Sequence, residues 1–174
     1  MRTARESGES AEAWLTRLIG EHQESLIRMC FMYLHDRAMA EDAVQETFLK
    51  AYRTMDSFRG ACSEKTWLAR LAINTCRDMQ RAAWFRHTDR RVTPEDMAAV
   101  QAAPPEEDDA EALAMAIVRL PARYREVILL YYYQDMTMKE VASALGIAVS
   151  SVSGRIKRAC ARLHQALEKG DAHG

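Results

Sequence analysis

Apolar residues recur at helical spacing through the first half of the chain, which predicts three helices there. A short connection at 35–37 separates the first helix from the second, which should stop near Asp56 and Ser57. Ser63 is a residue type that caps helices, and a third apolar face follows it. The apolar side of the second helix holds Ala43, Val44, Phe48, Ala51, Tyr52 and Met55.

The second half predicts a helix-turn-helix. Pro121 suits the first turn of a helix running to about Tyr133. The motif Thr137-x-x-Glu140 has the form of a capping box, and Gly146 can end the short helix that follows it. After a tight turn at 147–149, Ser150 or Ser151 can cap a long helix that reaches about Glu168. No segment alternates apolar and polar residues as a half-buried strand would, so we expect an all-α fold.

The last helix separates apolar from basic positions. At about 100° per residue, one stripe is apolar and should be buried. The opposite side has small residues near its N-terminal end, followed by Lys157 and Arg158. Small residues allow close approach to a DNA groove, where the first turns of a recognition helix meet base edges. The stripe expected to be buried consists of Val152, Ile156, Ala159, Leu163 and Leu167.

Charge is unevenly distributed although 24 Lys and Arg nearly balance 25 Asp and Glu over 174 residues. Residues 61–93 carry 7 basic and 3 acidic side chains, and residues 113–174 carry 9 and 5, so both blocks are basic. Between them, 94–112 carries seven acidic side chains and no Lys or Arg. We therefore expect two small helical domains, 10–87 and 113–169, joined by a flexible acidic linker over 88–112. Helix can resume within the last residues of this linker, because acidic side chains at 106–109 favour a helix N-terminus.

The sequence favours neither an enzyme nor a metal site. The four cysteines form no Cys-x-x-Cys pair, and no cofactor or catalytic motif is present. A redox or metal sensor built from Cys30 with His35, or from Cys62 with Cys76, is a minor alternative to reduced structural thiols. No apolar run is long enough to span a bilayer and no signal core begins the chain, so we expect a cytoplasmic protein without membrane insertion.

Several stretches resemble the bacterial extracytoplasmic-function (ECF) sigma factors of the sigma-70 family. The segments 40–53, 58–60 and 66–74 resemble sigma region two, and 120–130 and 138–162 resemble region four. The resemblance implies a subunit that binds core RNA polymerase, recognises the −10 and −35 promoter elements and assists melting. Its implied partners are the β′ clamp coiled coil and the β flap of the polymerase, promoter DNA and an anti-sigma factor.

The same resemblance assigns three sets of residues. The set expected to contact core polymerase is Asp42, Gln45, Glu46, Phe48, Lys50 and Arg53. The set expected to contact the −10 element is Phe58, Arg59, Lys65, Arg70, Asn74, Arg77 and Arg81. The set expected to contact the −35 element is Ser150, Ser151, Ser153, Gly154, Arg155, Lys157 and Arg158. The chain departs from the commoner family pattern at Glu64 and Lys65, where an aromatic residue often stands, and at Ser153 and Gly154.

Two other interpretations compete with a sigma factor. An independent helix-turn-helix regulator would bind DNA stably without polymerase, whereas a sigma factor needs core enzyme to engage its two linked sites together. A sigma mimic that occupies an anti-sigma factor would not need the basic residues Arg77, Arg81 and Arg158, so their presence favours DNA binding. For Phe48, packing in the core competes evenly with polymerase contact.

Overall fold

The protein is described by a computed structural model over residues 8–86 and 108–171, where every regular element is helical. The all-α expectation is therefore confirmed for these ranges. The chain divides into two compact units, 1–91 and 92–174. The helices are α1 (Ala11–Leu34), α2 (Arg37–Thr54), α3 (Glu64–Arg86), α4 (Asp108–Arg119), α5 (Ala122–Ile128), α6 (Met138–Leu145) and α7 (Val149–Asp171).

In the first unit, α1, α2 and α3 all pack against one another. Side-chain caps set their starts: Ser10 Oγ accepts from the Ala13 amide at 3.1 Å, and Asp36 Oδ1 accepts from the Met39 amide at 2.9 Å. A 3-10 turn, Met55–Ser57, follows α2. The helices enclose a core whose largest fully buried side chains are Trp14, Leu18, Leu26, Met29, Leu68 and Ile73.

In the second unit, α7 packs against α4, α5 and α6. Pro121 precedes α5, and the helix continues as a π-helical turn, Leu129–Tyr133, so its predicted end near Tyr133 is confirmed. The core contains Ile117, Val127, Leu129, Leu130, Met136 and Val141. Helix α4 begins at Asp108, so the last residues assigned to the acidic linker, 108–112, are helical. The rest of that linker, 88–107, lies outside the described residues.

Three local predictions were wrong, one of them the burial of Leu167, which is partly exposed near the end of α7. Helix α7 begins at Val149, so Ser150 and Ser151 lie inside its first turn and do not cap it; the Ala148 carbonyl accepts from the Val152 amide at 3.1 Å. Tyr52 is 41% exposed although it was placed on the apolar side of the second helix. Tyr52 lies outside the buried stripe of α2. That stripe consists of Ala40, Ala43, Val44, Thr47, Phe48 and Ala51.

Candidate nucleic-acid and protein interfaces

The predicted helix-turn-helix is present and is fixed by local interactions. In the capping box, Thr137 Oγ1 accepts from the Glu140 amide at 3.2 Å, and Glu140 Oε2 accepts from the Thr137 amide at 2.8 Å. Gly146 ends α6 with φ of 66°, a left-handed conformation that favours glycine. The chain then turns through Ile147 and Ala148 directly into α7. These interactions set the position from which α7 leaves the turn.

Helix α7 separates a buried face from a basic one, as its periodicity predicts. Val152, Ile156, Ala159 and Leu163 are buried. An added Cβ at the half-buried Gly154 would meet no described atom within 4 Å, so packing inside the unit does not require glycine there. The exposed members of the predicted −35 set are Ser150, Ser151, Ser153, Lys157 and Arg158.

Arg155 differs from the other predicted −35 residues because its charge is paired inside the unit. Its Nη1 lies 3.0 Å from Oε1 of Glu126 on α5. The Glu126 side chain is only 6% exposed, whereas that of Arg155 is 26% exposed. A nearly buried carboxylate needs such a partner, because an unpaired buried charge is costly. The pair therefore ties α7 to α5.

One face of α2 is exposed and combines charged with apolar side chains. Asp42, Gln45 and Arg53 are exposed and Glu46 is partly exposed. Leu49, 48% exposed, and Tyr52 lie among them. At about 100° per residue, Leu49 lies nearly opposite the centre of the buried stripe. The position of Leu49 on the helical wheel predicts this exposure, although Leu49 is not among the polymerase-contacting residues that the resemblance assigns.

The remaining two residues of the predicted polymerase set lie away from this exposed face of α2. Phe48 is buried, which favours its role in the core. Lys50 is partly exposed, and its Nζ donates to Thr75 Oγ1 on α3 at 3.0 Å. The Lys50 hydrogen bond links α2 to α3. They do not belong to the exposed face formed by Asp42, Gln45, Leu49 and Tyr52.

Most of the predicted −10 residues on α3 form one stripe. Arg70, Asn74, Arg77 and Arg81 fall within about 60° of one another and extend about 16 Å along the helix axis. Arg70 and Arg81 are exposed, and Asn74 and Arg77 are partly exposed. Lys65 lies on another side of α3 and is partly exposed.

Two predicted −10 residues lie just before α3. Arg59 is exposed, whereas Phe58 is buried and stacks on Trp67 with ring centroids 4.8 Å apart. The Phe58 ring is therefore already packed within the first unit.

Cys30 neighbours Cys76 in the first unit, a pairing that the sequence did not suggest. Cys30 on α1 and Cys76 on α3 are both fully buried. The neighbouring Cys76 thiol and burial raise the pKa of Cys30 well above its ordinary value. Over 8–86 and 108–171, no three His, Cys, Asp or Glu side chains gather as metal ligands. None of the helices described in these ranges combines the length and apolar character needed to cross a membrane.

Comparison with known proteins identifies both units. Residues 18–86 match the family model for sigma-70 region 2, and residues 110–163 match that for sigma-70 region 4. The ECF RNA polymerase sigma factor SigL of Mycobacterium tuberculosis is 36% identical over 176 residues, covering 95% of this chain and 97% of SigL. The chain belongs to the ECF sigma factors. The RNA polymerase sigma-H factor of Pseudomonas aeruginosa is 31% identical, covering 87% of this sigma factor and 84% of its own length.

Solved structures are similar to this sigma factor along most of its length. CnrH, solved in complex with the cytosolic domain of CnrY, gives a TM-score of 0.69 at 28% identity, covering 96% of this chain and 95% of CnrH. The sigma factor RpoE of Bartonella quintana, solved with the anti-sigma factor NepR, also gives a TM-score of 0.69. It is 22% identical, and the match covers 88% of this chain and 96% of RpoE. At that identity, the second likeness concerns the fold alone.

Proposed function

We propose that this sigma factor binds core RNA polymerase in the cytoplasm, directs it to promoters with −10 and −35 elements, and assists DNA melting. The observation that carries the proposal is the basic exposed face of α7, held in a capped helix-turn-helix, in a chain whose first unit matches sigma-70 region 2. We assign the protein no catalytic activity. The ECF relatives named above favour this function over a polymerase-independent regulator.

In this proposal, α7 enters the major groove at the −35 element. Its exposed serines near the N-terminal end allow close approach, and Lys157 and Arg158 supply the positive charge. Arg158 is the strongest candidate for a base contact because it is exposed. Arg155 already pairs with Glu126 within the unit and so has less freedom to reach DNA.

The exposed face of α2 is our candidate for the core-polymerase contact. Leu49 and Tyr52 supply apolar area at its centre, and Asp42, Gln45 and Arg53 surround them with polar groups. An apolar centre with a polar rim is the usual anatomy of a protein interface. We add Leu49 and Tyr52 to the residues expected to bind the β′ clamp coiled coil. The contact with the β flap stays a prediction for the second unit.

The α3 stripe is our candidate for the −10 contact. Arg70, Arg77 and Arg81 can neutralise successive phosphates, and Asn74 offers an amide for a base edge. We also propose that an anti-sigma factor binds this chain. The support is that the similar protein CnrH, 28% identical, was solved in complex with a protein partner, the cytosolic domain of CnrY.

The experiment that tests this function measures DNA binding with and without purified core polymerase. A promoter fragment selected by the holoenzyme should be bound only weakly by the protein alone, because the two linked sites require core enzyme. Arg158→Ala should cost about 1–3 kcal/mol at a preferred −35 sequence if the contact is to a base. Arg119→Ala removes an exposed arginine from α4 and is the matched control.

Tight, sequence-specific binding by the protein alone, with no gain from core polymerase, would contradict the proposed function. An equal loss for Arg158→Ala on every DNA sequence would instead assign Arg158 to a phosphate.

A further inference from the structure

Glu64, the first residue of α3, receives three hydrogen bonds from α1. Its Oε1 accepts from Trp14 Nε1 at 2.8 Å and from Arg17 Nη2 at 3.0 Å, and its Oε2 accepts from Arg17 Nη1 at 2.9 Å. Arg17 thus binds the carboxylate in a bidentate manner, the strongest form of this pair. We call Trp14, Arg17 and Glu64 the Glu64 cluster.

The charge states of the Glu64 cluster agree with this geometry. The hydrogen bonds from Arg17 lower the pKa of Glu64 despite the partial burial of the carboxyl, and Trp14 adds to the effect. Glu9 and Glu21 also lie 3.4–3.5 Å from the Arg17 guanidinium. The cluster therefore joins α1 to the start of α3 by charge as well as by packing.

Aromatic rings continue this connection to the chain before α3. The centroid of the Trp14 ring lies 6.0 Å from that of Trp67, and Trp67 stacks on Phe58 at 4.8 Å. Such ring pairs add stabilisation beyond the area that they bury. Trp14 therefore contacts both the Glu64 carboxylate and the aromatic stack that holds Phe58.

The loop 58–63 is consequently held at both ends. Phe58 fixes its first residue, and Ser63 fixes its last, since Ser63 Oγ accepts from the Thr66 amide at 3.0 Å. Between them, Gly60 has φ of 68°, a left-handed conformation, and Arg59 is exposed. Both ends of the loop are therefore anchored, and Arg59 is exposed between them.

We propose that Glu64 is a positioning residue whose bonds to Trp14 and Arg17 hold the loop 58–63 in the conformation that receives single-stranded −10 DNA. The inference rests on the proposed function. A flipped base needs a preformed pocket, and affinity falls in proportion to the fraction of molecules in the competent conformation. If loosening the cluster leaves the loop competent about a tenth of the time, −10 binding weakens about tenfold.

The test compares two variants of the cluster with two matched controls. Glu64→Gln and Arg17→Gln disrupt the cluster. Glu24→Gln and Arg28→Gln make the same changes in an ion pair of α1 that is 2.7 Å long and exposed to solvent. The probe is a single-stranded oligonucleotide that the wild-type holoenzyme selects from a randomised library. Its affinity for each holoenzyme is measured beside the affinity of each variant for core polymerase and the helical content of each variant.

We expect both cluster variants to bind the oligonucleotide about tenfold more weakly, with unchanged affinity for core and unchanged helical content. Both control variants should behave as wild type. The inference is overturned if Glu64→Gln binds the oligonucleotide as Glu24→Gln does, or if its affinities for oligonucleotide and core fall by the same factor. A wild-type holoenzyme that selects no oligonucleotide would overturn the proposed function, and the inference with it.

Discussion

Replacing Arg155 with alanine should lower the free energy of unfolding of the second unit, although it removes no apolar side chain from the centre of the core. The substitution leaves the Glu126 carboxylate, 6% exposed, without the guanidinium that lies 3.0 Å from it. Removing one partner of a fully buried ion pair costs about 3–5 kcal/mol. Arg155 is 26% exposed, so water can replace part of the interaction. We therefore expect a cost of about 1–3 kcal/mol, similar to a hydrogen bond to a charged group.

Hydrogen exchange of the full chain is a suitable assay because it reports on each unit separately. A cost of about 2 kcal/mol should speed the exchange of slowly exchanging α5 and α7 amides by roughly 30-fold, while amides of α1 to α3 keep their rates. Arg158→Ala is the control, since Arg158 is exposed three positions further along α7. Combining Arg155→Ala with Glu126→Gln gives a double-mutant cycle, and we expect a coupling of about 1–2 kcal/mol.

Equal exchange rates in Arg155→Ala and Arg158→Ala, or a coupling energy of zero, would refute this reasoning. Arg155 would then return to the predicted −35 set as a residue free to contact DNA.

Other predictions address both units. Thr137→Ala should remove the capping box of α6 and destabilise the second unit by about 1 kcal/mol, measured by the same exchange experiment. Asp42→Asn should weaken core binding several-fold, measured by titration with labelled core, and leave helical content unchanged. Asn74→Ala should reduce open-complex formation, measured by permanganate footprinting, by more than it reduces core binding. The pKa of Glu64 is lowered in the fold, so its stabilising effect is present above the ordinary glutamate pKa of about 4.3 and is lost on further acidification. The stability advantage of wild type over Glu64→Gln, measured by urea unfolding with tryptophan fluorescence, should disappear over that acidic range.

Local rules predicted most of the architecture. The capping box at Thr137 and Glu140 and the left-handed Gly146 depend on residues a few positions apart, so the sequence specifies them directly. The buried stripe of α7 likewise follows from helical periodicity. The exposure of Tyr52 was missed because it lies at the margin of a stripe. At a margin, periodicity does not decide between burial and exposure.

The remaining features depend on side chains that are distant in sequence. Arg155 and Glu126 are 29 positions apart, and Arg17 and Glu64 are 47 positions apart. No local pattern pairs such residues, so Arg155 was assigned to DNA and Glu64 was noted only as a departure from the family pattern. These contacts are seen only in the structure, where the packing of the helices brings the residues together. Arg155 and Glu64 each form an ion pair next to a candidate interface, and each pair helps to fix the position of that interface.

The central claim is that the two units act together as a promoter-recognition subunit. The most direct measurement is transcription in vitro with purified core polymerase on a fragmented genomic library, with and without this protein. We predict discrete new start sites that share two upstream elements and appear only when both proteins are present. The contradicting result is the absence of core-dependent transcripts while the protein alone retains specific duplex fragments.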